Sequence, residues 1–310
     1  MTEPLRRAER DPLARARVVA RQTLRYDAAF AQLVGAPWVR AGSGLVRLGK
    51  RLLVIQDDAL WLSWLDESGQ LRASPLASDG PLLFDDKRRK PDFEAVTLVD
   101  DKAVVFGSGS LPSRERIAIV EHDGKPRLVQ ASELYRALRR EPRFAGSQLN
   151  VEGAFVEGPQ LVLCNRDNGA GGRFDATVEL PVQALLDYLA SPSSTPPPPL
   201  GKIEQYSLGA VAGVRLTLTD AALRDGRRYY LAAAEATPDA IADGPVLGVS
   251  IGLLTEAPRY ALIESENGVP LRDKVEGLTP GAAPGQWLAV VDADDPAQPA
   301  QLLSLQTEGL

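Results

Sequence analysis

Three glutamates recur in this sequence with similar neighbours: Phe93-Glu94-Ala95, Val151-Glu152-Gly153 and Val275-Glu276-Gly277, each a carboxylate followed by a small residue at the start of an apolar run. Several carboxylates aimed at one point form the oxygen donor set that calcium or magnesium takes. Glu94, Glu152 and Glu276 are therefore candidate metal ligands. Two positions earlier stand Asp92, Asn150 and Lys274, which share the glutamates' side of an extended strand because side chains alternate along it. Arg114 and Arg166 could hold an anionic group by paired guanidinium contacts, with Asn165 and Asn168 orienting it and Lys274 a further candidate ligand-binding residue. If the cation polarised an ester and activated water, Glu152 and Glu276 would be the catalytic pair. A structural reading stands beside this one: each Glu is neutralised by a base such as Arg114, Arg166 or Lys274, or bonds the backbone of an adjacent unit, since a buried carboxylate must be compensated.

Other chemistries lack their residues. The chain of 310 residues has one His and one Cys. His122 lies in the Glu121-His122-Asp123-Gly124 turn and Cys164 inside an apolar run, so a Ser-His-Asp or Cys-His arrangement is not expected. Three His or Cys ligands for zinc cannot be assembled, and neither haem nor a nucleotide is expected. The net charge of −6 supplies no global field for nucleic acid or an anionic membrane. Arg6, Arg7, Arg10, Arg15, Arg17 and Arg21 crowd the N-terminus without the apolar segment of a secretion signal, and no stretch reaches transmembrane length. A cytoplasmic protein follows as the expectation, with residues 1–13 a disordered tail and 14–310 one domain. The oligomeric state is not legible.

The elements that must position the glutamates announce themselves by repetition. Ser43-Gly44-Leu45, Glu94-Ala95-Val96, Glu152-Gly153-Ala154, Ala212-Gly213-Val214 and Glu276-Gly277-Leu278 follow one another at intervals of about 50 to 60 residues, the signature of a propeller or solenoid. Nine positions after the motif's first residue, the first three units reach Leu52, Ala103 and Leu161, while the fourth needs seventeen to reach Tyr229 and the fifth eleven to reach Trp287. Each of these begins a short continuous apolar run that suits a strand covered on both faces. Polar residues follow in most units, as in Gln56-Asp57-Asp58, Asn165-Arg166-Asp167 and Asp292-Ala293-Asp294. The pattern predicts an all-β propeller of five blades, or six if the long fourth unit, residues 212–270, contains two. The last unit has room for only one further strand, near residues 301–306, so residues 17–26 are expected to complete it and close the ring. Helices are expected only as decorations at 131–140 and 182–190. The SPSSTPPPPL segment at 191–200 reads as a stiff surface connection, and the DDKRRK run at 85–90 as a solvated turn.

The repeated Glu-Gly-apolar opening, together with the Gly107-Ser108-Gly109-Ser110 segment and Arg114, resembles the phytase-like esterase propellers and their uncharacterised bacterial relatives over most of the chain from Gly42. That resemblance implies a central metal or substrate site lined by Glu94, Glu152 and Glu276. Ser43 and Ala212 stand at the matching positions of the other units and break a full acidic ring. Two functions are expected from these residues. One is a polar, Glu/Arg-lined funnel that binds a small molecule, an ion or a partner; the alternative is a metal-dependent hydrolase of phosphate or carboxylic esters.

Overall fold

Short runs of aliphatic and β-branched residues, cut by Gly, Asp and Pro, leave little room for any element but strands. In the computed structural model, which describes residues 4–76, 82–121, 125–146, 148–167, 174–236 and 244–310, they form five four-stranded antiparallel units. The first comprises Gly42–Leu48, Arg51–Gln56, Trp61–Leu65 and Leu71–Pro75; the second Phe93–Val99, Lys102–Gly107, Arg116–Val120 and Pro126–Gln130. The third comprises Val151–Glu157, Gln160–Asn165, Asp175–Pro181 and Ile203–Ser207; the fourth Thr217–Arg224, Arg227–Glu235, Val246–Leu253 and Arg259–Glu264. The fifth takes Lys274–Pro280, Gln286–Asp292 and Gln301–Glu308 from the end of the chain and Arg15–Thr23 from its start.

The hydrophobic core is divided among the spaces between these sheets. Leu53 and Trp64 of the first unit pack with Val96 and Val105 of the second, and Val104 and Ile117 of the second with Leu161 and Leu163 of the third. Phe155 and Cys164 meet Leu218 and Tyr230, Leu231 and Val249 meet Leu278 and Trp287, and Val290 and Leu302 return to Leu45, Val54 and Trp61. The first strand of every unit touches that of the next, and the fifth touches the first. The units therefore stand around a common axis with strands buried on both faces, which is why their sequences read as continuous apolar runs rather than alternating ones.

Closure involves more of the N-terminus than its composition suggests. Arg15–Thr23 pairs antiparallel with Gln301–Glu308, and its Ala16 lies beside Ile263 of the fourth unit. Residues 4–13, expected to be disordered, are instead strapped across two units: Arg6–Arg7 runs parallel to Ile203–Ser207, and Glu9–Arg10 parallel to Arg259–Glu264. Arg6 pairs with the buried Glu204 at 2.6 Å, and Asp11 with Arg259 at 2.7 Å. Arginine-rich composition signals solvation only when no buried acid waits for the charge. Deleting residues 1–11 is expected to lower the thermal midpoint by several degrees, since each kcal/mol is worth about 2–4 °C in a domain approaching this size; an unchanged midpoint by differential scanning fluorimetry would remove the strap's structural role.

The fourth unit corrects the motif register. Ala212 and Gly213 form the two-residue tip of a hairpin between Ala210–Val211 and Val214–Arg215, with φ of 51° and 82°, the left-handed conformation that a tight hairpin requires. The counterpart of the motif is Thr219-Asp220-Ala221, and the nine-residue spacing then runs from Thr219 to Arg228, which pairs with Leu223 as Leu52 pairs with Arg47. The pieces at 246–253 and 259–264 are the third and fourth strands of this same sheet. The proline-rich stretch links Val182–Ala190, one of the two expected helices, to the fourth strand of the third unit. The other helix, Ser132–Arg139, buries Leu134, Tyr135 and Leu138 beside Leu185, Tyr188 and Leu189 of the first. Cys164 is buried, and burial pushes its thiol well above the usual range. His122 and Asn168 lie outside the described residues.

Candidate cation site on the ring axis

Every first strand breaks its ladder at the motif residue. The register shifts between Gly42 and Gly44, Phe93 and Ala95, Val151 and Gly153, Leu218 and Asp220, and Val275 and Gly277. A bulge leaves one residue unpaired and re-aims its side chain; here those residues are Ser43, Glu94, Glu152, Thr219 and Glu276. The small residue that follows has its own reason. A Cβ on Gly277 would come within 2.7 Å of the Gly44 Cα, and one on Gly153 within 2.8 Å of the Ala221 nitrogen, so adjacent first strands approach closely only because side chains are missing there. Ser43 donates to the Phe93 carbonyl at 2.5 Å and Thr219 to the Val275 carbonyl at 2.7 Å, each a stitch to the following unit.

The other three bulged residues converge. Glu94, Glu152 and Glu276, exposed by only 8%, 5% and 4%, each offer an oxygen such that the three atoms lie within 4.8 Å of one another. Asn150 donates to Glu152 Oε1 at 2.5 Å, and Arg166 approaches the same oxygen at 3.7 Å while pairing with Glu235 at 3.1 Å. Lys274 Nζ lies 3.3 Å from Glu276 Oε1, 3.4 Å from Asp292 and 2.9 Å from Asp294, yet that buried Glu276 oxygen receives no hydrogen bond. Among the described residues, no hydrogen bond or ion pair reaches the Glu94 carboxylate.

On the Glu94 side a second group continues the cluster. Lys90 forms ion pairs with Asp57 and, at 3.0 Å, with Asp92. Asp92 also accepts from Ser108 and from Arg114 at 2.8 Å, and Arg114 reaches Ser110 at the same distance. Eight carboxyl groups (Asp57, Asp92, Glu94, Glu152, Glu235, Glu276, Asp292 and Asp294) are thus served by four bases, Lys90, Arg114, Arg166 and Lys274. That deficit sets the protonation. Burial pushes the Glu152 carboxyl up to about 8, with Glu276 adding to the effect and Arg166 opposing it. Burial, reinforced by Asp92 and Glu152, lifts Glu94 well above the usual range; burial raises Glu276 against the pull of Lys274. Asp92 moves the other way: burial opposes its ionisation, but Lys90, Arg114 and the Ser108 hydroxyl together hold it below its ordinary value.

The candidate residues therefore fall into two groups. Glu94, Glu152, Glu276, Arg166 and Lys274 meet at the axis, and Arg114 joins them through Asp92. Asn165 does not face that space: its amide oxygen accepts from the Asn150 backbone at 2.6 Å and its nitrogen donates to the Arg166 carbonyl at 3.3 Å, which fixes the loop rather than a ligand. Both arginines expected to grip an anion are already held by the protein's own carboxylates. Asp57, Lys90, Glu235, Asp292 and Asp294 join the site although no motif in the sequence marks them for it. Their signal was topological, because antiparallel pairing returns the end of each second strand to the start of the first, as Asp292 opposite Lys274. Lys90, the last residue of the DDKRRK run, turns in from a surface loop that composition marks as solvated.

An all-β ring of repeated sheets with a buried acidic centre is the class of protein that this fold and site define. Residues 38–307 match the family of unknown function DUF6929, and the chain belongs to that family. The phytase-like resemblance of the motif adds no reaction to it. No curated protein matches the chain. Among solved structures, an exo-1,5-alpha-L-arabinanase from a bovine ruminal metagenomic library is similar at a TM-score of 0.48 and 10% identity, covering 86% of this chain and 92% of its own. A hypothetical protein from Leishmania major gives 0.46 and 10%, covering 94% and 90%; a virginiamycin B lyase from Staphylococcus aureus gives 0.36 and 9%, covering 86% and 66%. A likeness at this level carries no information about activity. No described helix is long and apolar enough to cross a membrane.

Proposed function

We propose that the chain is a five-bladed β-propeller that binds a hard divalent cation, calcium or magnesium, on its axis through Glu94, Glu152 and Glu276. The observation that carries this reading is the convergence of three buried carboxylates from three different units within 4.8 Å, one of which, Glu94, is reached by no hydrogen bond or ion pair among the described residues. Burial holds all three carboxyls above their usual range, a cation among them would offset the cost of ionising them, and oxygen donors at this separation are what such an ion collects. The five-blade count rests on the closed ring of first strands and the consecutive antiparallel pairing of the fourth unit's four strands. Binding is favoured over ester hydrolysis because Arg114 and Arg166 are engaged by Asp92, Glu152 and Glu235, leaving neither to grip an anionic substrate.

Thermal unfolding in EDTA, excess calcium and excess magnesium tests the proposal. A ligand at 100 times its dissociation constant stabilises the native state by about 2.7 kcal/mol, so the midpoint is expected to rise by roughly 4 °C. E94Q and E152Q are each expected to remove most of that rise. Equal midpoints in all three solutions would return the glutamates to a purely structural role.

A further inference from the structure

The axial carboxylates form two overlapping triads, not one. Besides Glu94, Glu152 and Glu276, the oxygens of Asp57, Asp92 and Glu94 also lie within 4.8 Å of one another, all three residues buried. Among the described residues, no base is lodged among all three members of the first triad; the second has the Lys90 ammonium in contact with Asp57 and 3.0 Å from Asp92. The chain is built to deliver that ammonium. Asp86 caps a turn by accepting from the Arg88 nitrogen through its side chain and from the Arg89 and Lys90 nitrogens through its carbonyl, and Pro91 disfavours continuing that turn as a helix at Lys90. Asp92 follows at φ 58°, a left-handed conformation uncommon outside glycine, held by its backbone bonds to Asp57 and Ser108.

We propose that Asp57, Asp92 and Glu94 constitute a second cation site of this axis, filled by the tethered ammonium of Lys90 in place of an external ion. Glu94, buried and reached by no hydrogen bond or ion pair among the described residues, is the ligand that the two sites share: Lys90 pairs with Asp57 and Asp92, which leaves the Glu94 oxygens to an external ion in the first triad. Lys90 is then the residue that limits the axis to a single divalent ion. A lysine tail supplies one positive charge at a fixed place and at no dependence on ion concentration, whereas a free Ca²⁺ or Mg²⁺ would bring two and would repel its neighbour across the shared carboxylate. This inference leans on the proposed function only for the role of Glu94 in the first triad.

Isothermal titration of the full chain with CaCl₂, and separately with MgCl₂, decides it. Wild type is expected to take up a single ion, K90M a second, and D57N/K90M to revert to the wild-type stoichiometry. Unchanged stoichiometry in K90M, with the protein folded, overturns the assignment. Should K90M be too unstable to titrate, its unfolding midpoint with and without calcium gives the same decision: a loss that calcium restores supports a vacated cation site, and one that calcium leaves in place overturns it. Absence of binding to wild type combined with uptake by K90M would sink the axial glutamate site while upholding the role of Lys90.

Discussion

Freed of divalent cations, the protein is expected to lose stability as the pH rises from about 5 to about 9. Glu152 holds its proton up to about 8 in the folded state, against an ordinary value of 4.5. The folded state therefore retains a proton that the unfolded chain releases, so this contribution is complete below the ordinary value and drains away as the pH climbs through the folded one. Glu94, Glu276 and Asp292 are raised in the same direction and act with the same sign. Asp92, held low by Lys90 and Arg114 despite its burial, contributes stability that disappears only in acid and does not offset the loss in this window. Each pH unit of separation corresponds to ~1.4 kcal/mol per independent group, so the combined decline is expected to reach several kcal/mol. Urea unfolding at a series of pH values in EDTA measures it directly. In E152Q, whose amide cannot ionise, the slope should flatten. Calcium should abolish the slope in wild type, because a cation replaces the protons it expels, and the released protons should make the binding heat depend on the buffer. Stability that stays level or rises across this range in EDTA would mean that the carboxylates are already ionised and compensated by Arg166 and Lys274.

The second large effect is expected at a residue that never touches the axial carboxylates. Asp220 occupies the position where the other four motifs carry Gly or Ala, and its carboxylate is spent on backbone: Oδ1 accepts from the Ala221 nitrogen at 2.7 Å and Oδ2 from the Leu278 nitrogen at 2.6 Å. It thus joins the first strand of the fourth unit to that of the fifth, at a bulge where the ladder itself leaves donors free. Gly153 of the third unit makes the space, since a Cβ there would lie 3.1 Å from Asp220 Oδ1. Truncation to Ala orphans two buried N–H groups at about 1–3 kcal/mol each, so D220A is expected to lose about 2–6 kcal/mol in urea unfolding and to expose the seam between the fourth and fifth units to hydrogen exchange. A loss below about 0.5 kcal/mol would show that water or backbone adjustment satisfies both donors and that Asp220 is dispensable.

Both effects trace to the same short motif, and they mark where its legibility stops. A glutamate or hydroxyl, then a small residue, then an apolar run is a local requirement: the bulge needs an unpaired side chain, and the close approach of neighbouring first strands needs a missing one. Such requirements repeat in sequence because each unit meets them separately. Asp220 satisfies the second by another route, bonding across the gap instead of leaving it empty, so the small dipeptide Ala212-Gly213 upstream matched the pattern better. A tight hairpin asks for that dipeptide too, and composition alone does not separate the two demands.

By itself the sequence determined the repeating all-β architecture, the opening of four of the five first strands, the contribution of an N-terminal strand to the last sheet, and the candidacy of Glu94, Glu152 and Glu276. These follow from short-range chemistry: apolar runs that must be buried on both faces, turns that need Gly or Asp, and an incomplete last unit. Only the tertiary structure decided which charges meet. Lys90 with Asp57, Arg166 with Glu235 and Arg6 with Glu204 join residues from separate parts of the chain. An ion pair imposes no pattern on the sequence between its partners, because a charge acts through space and is indifferent to the path of the backbone that brings it there.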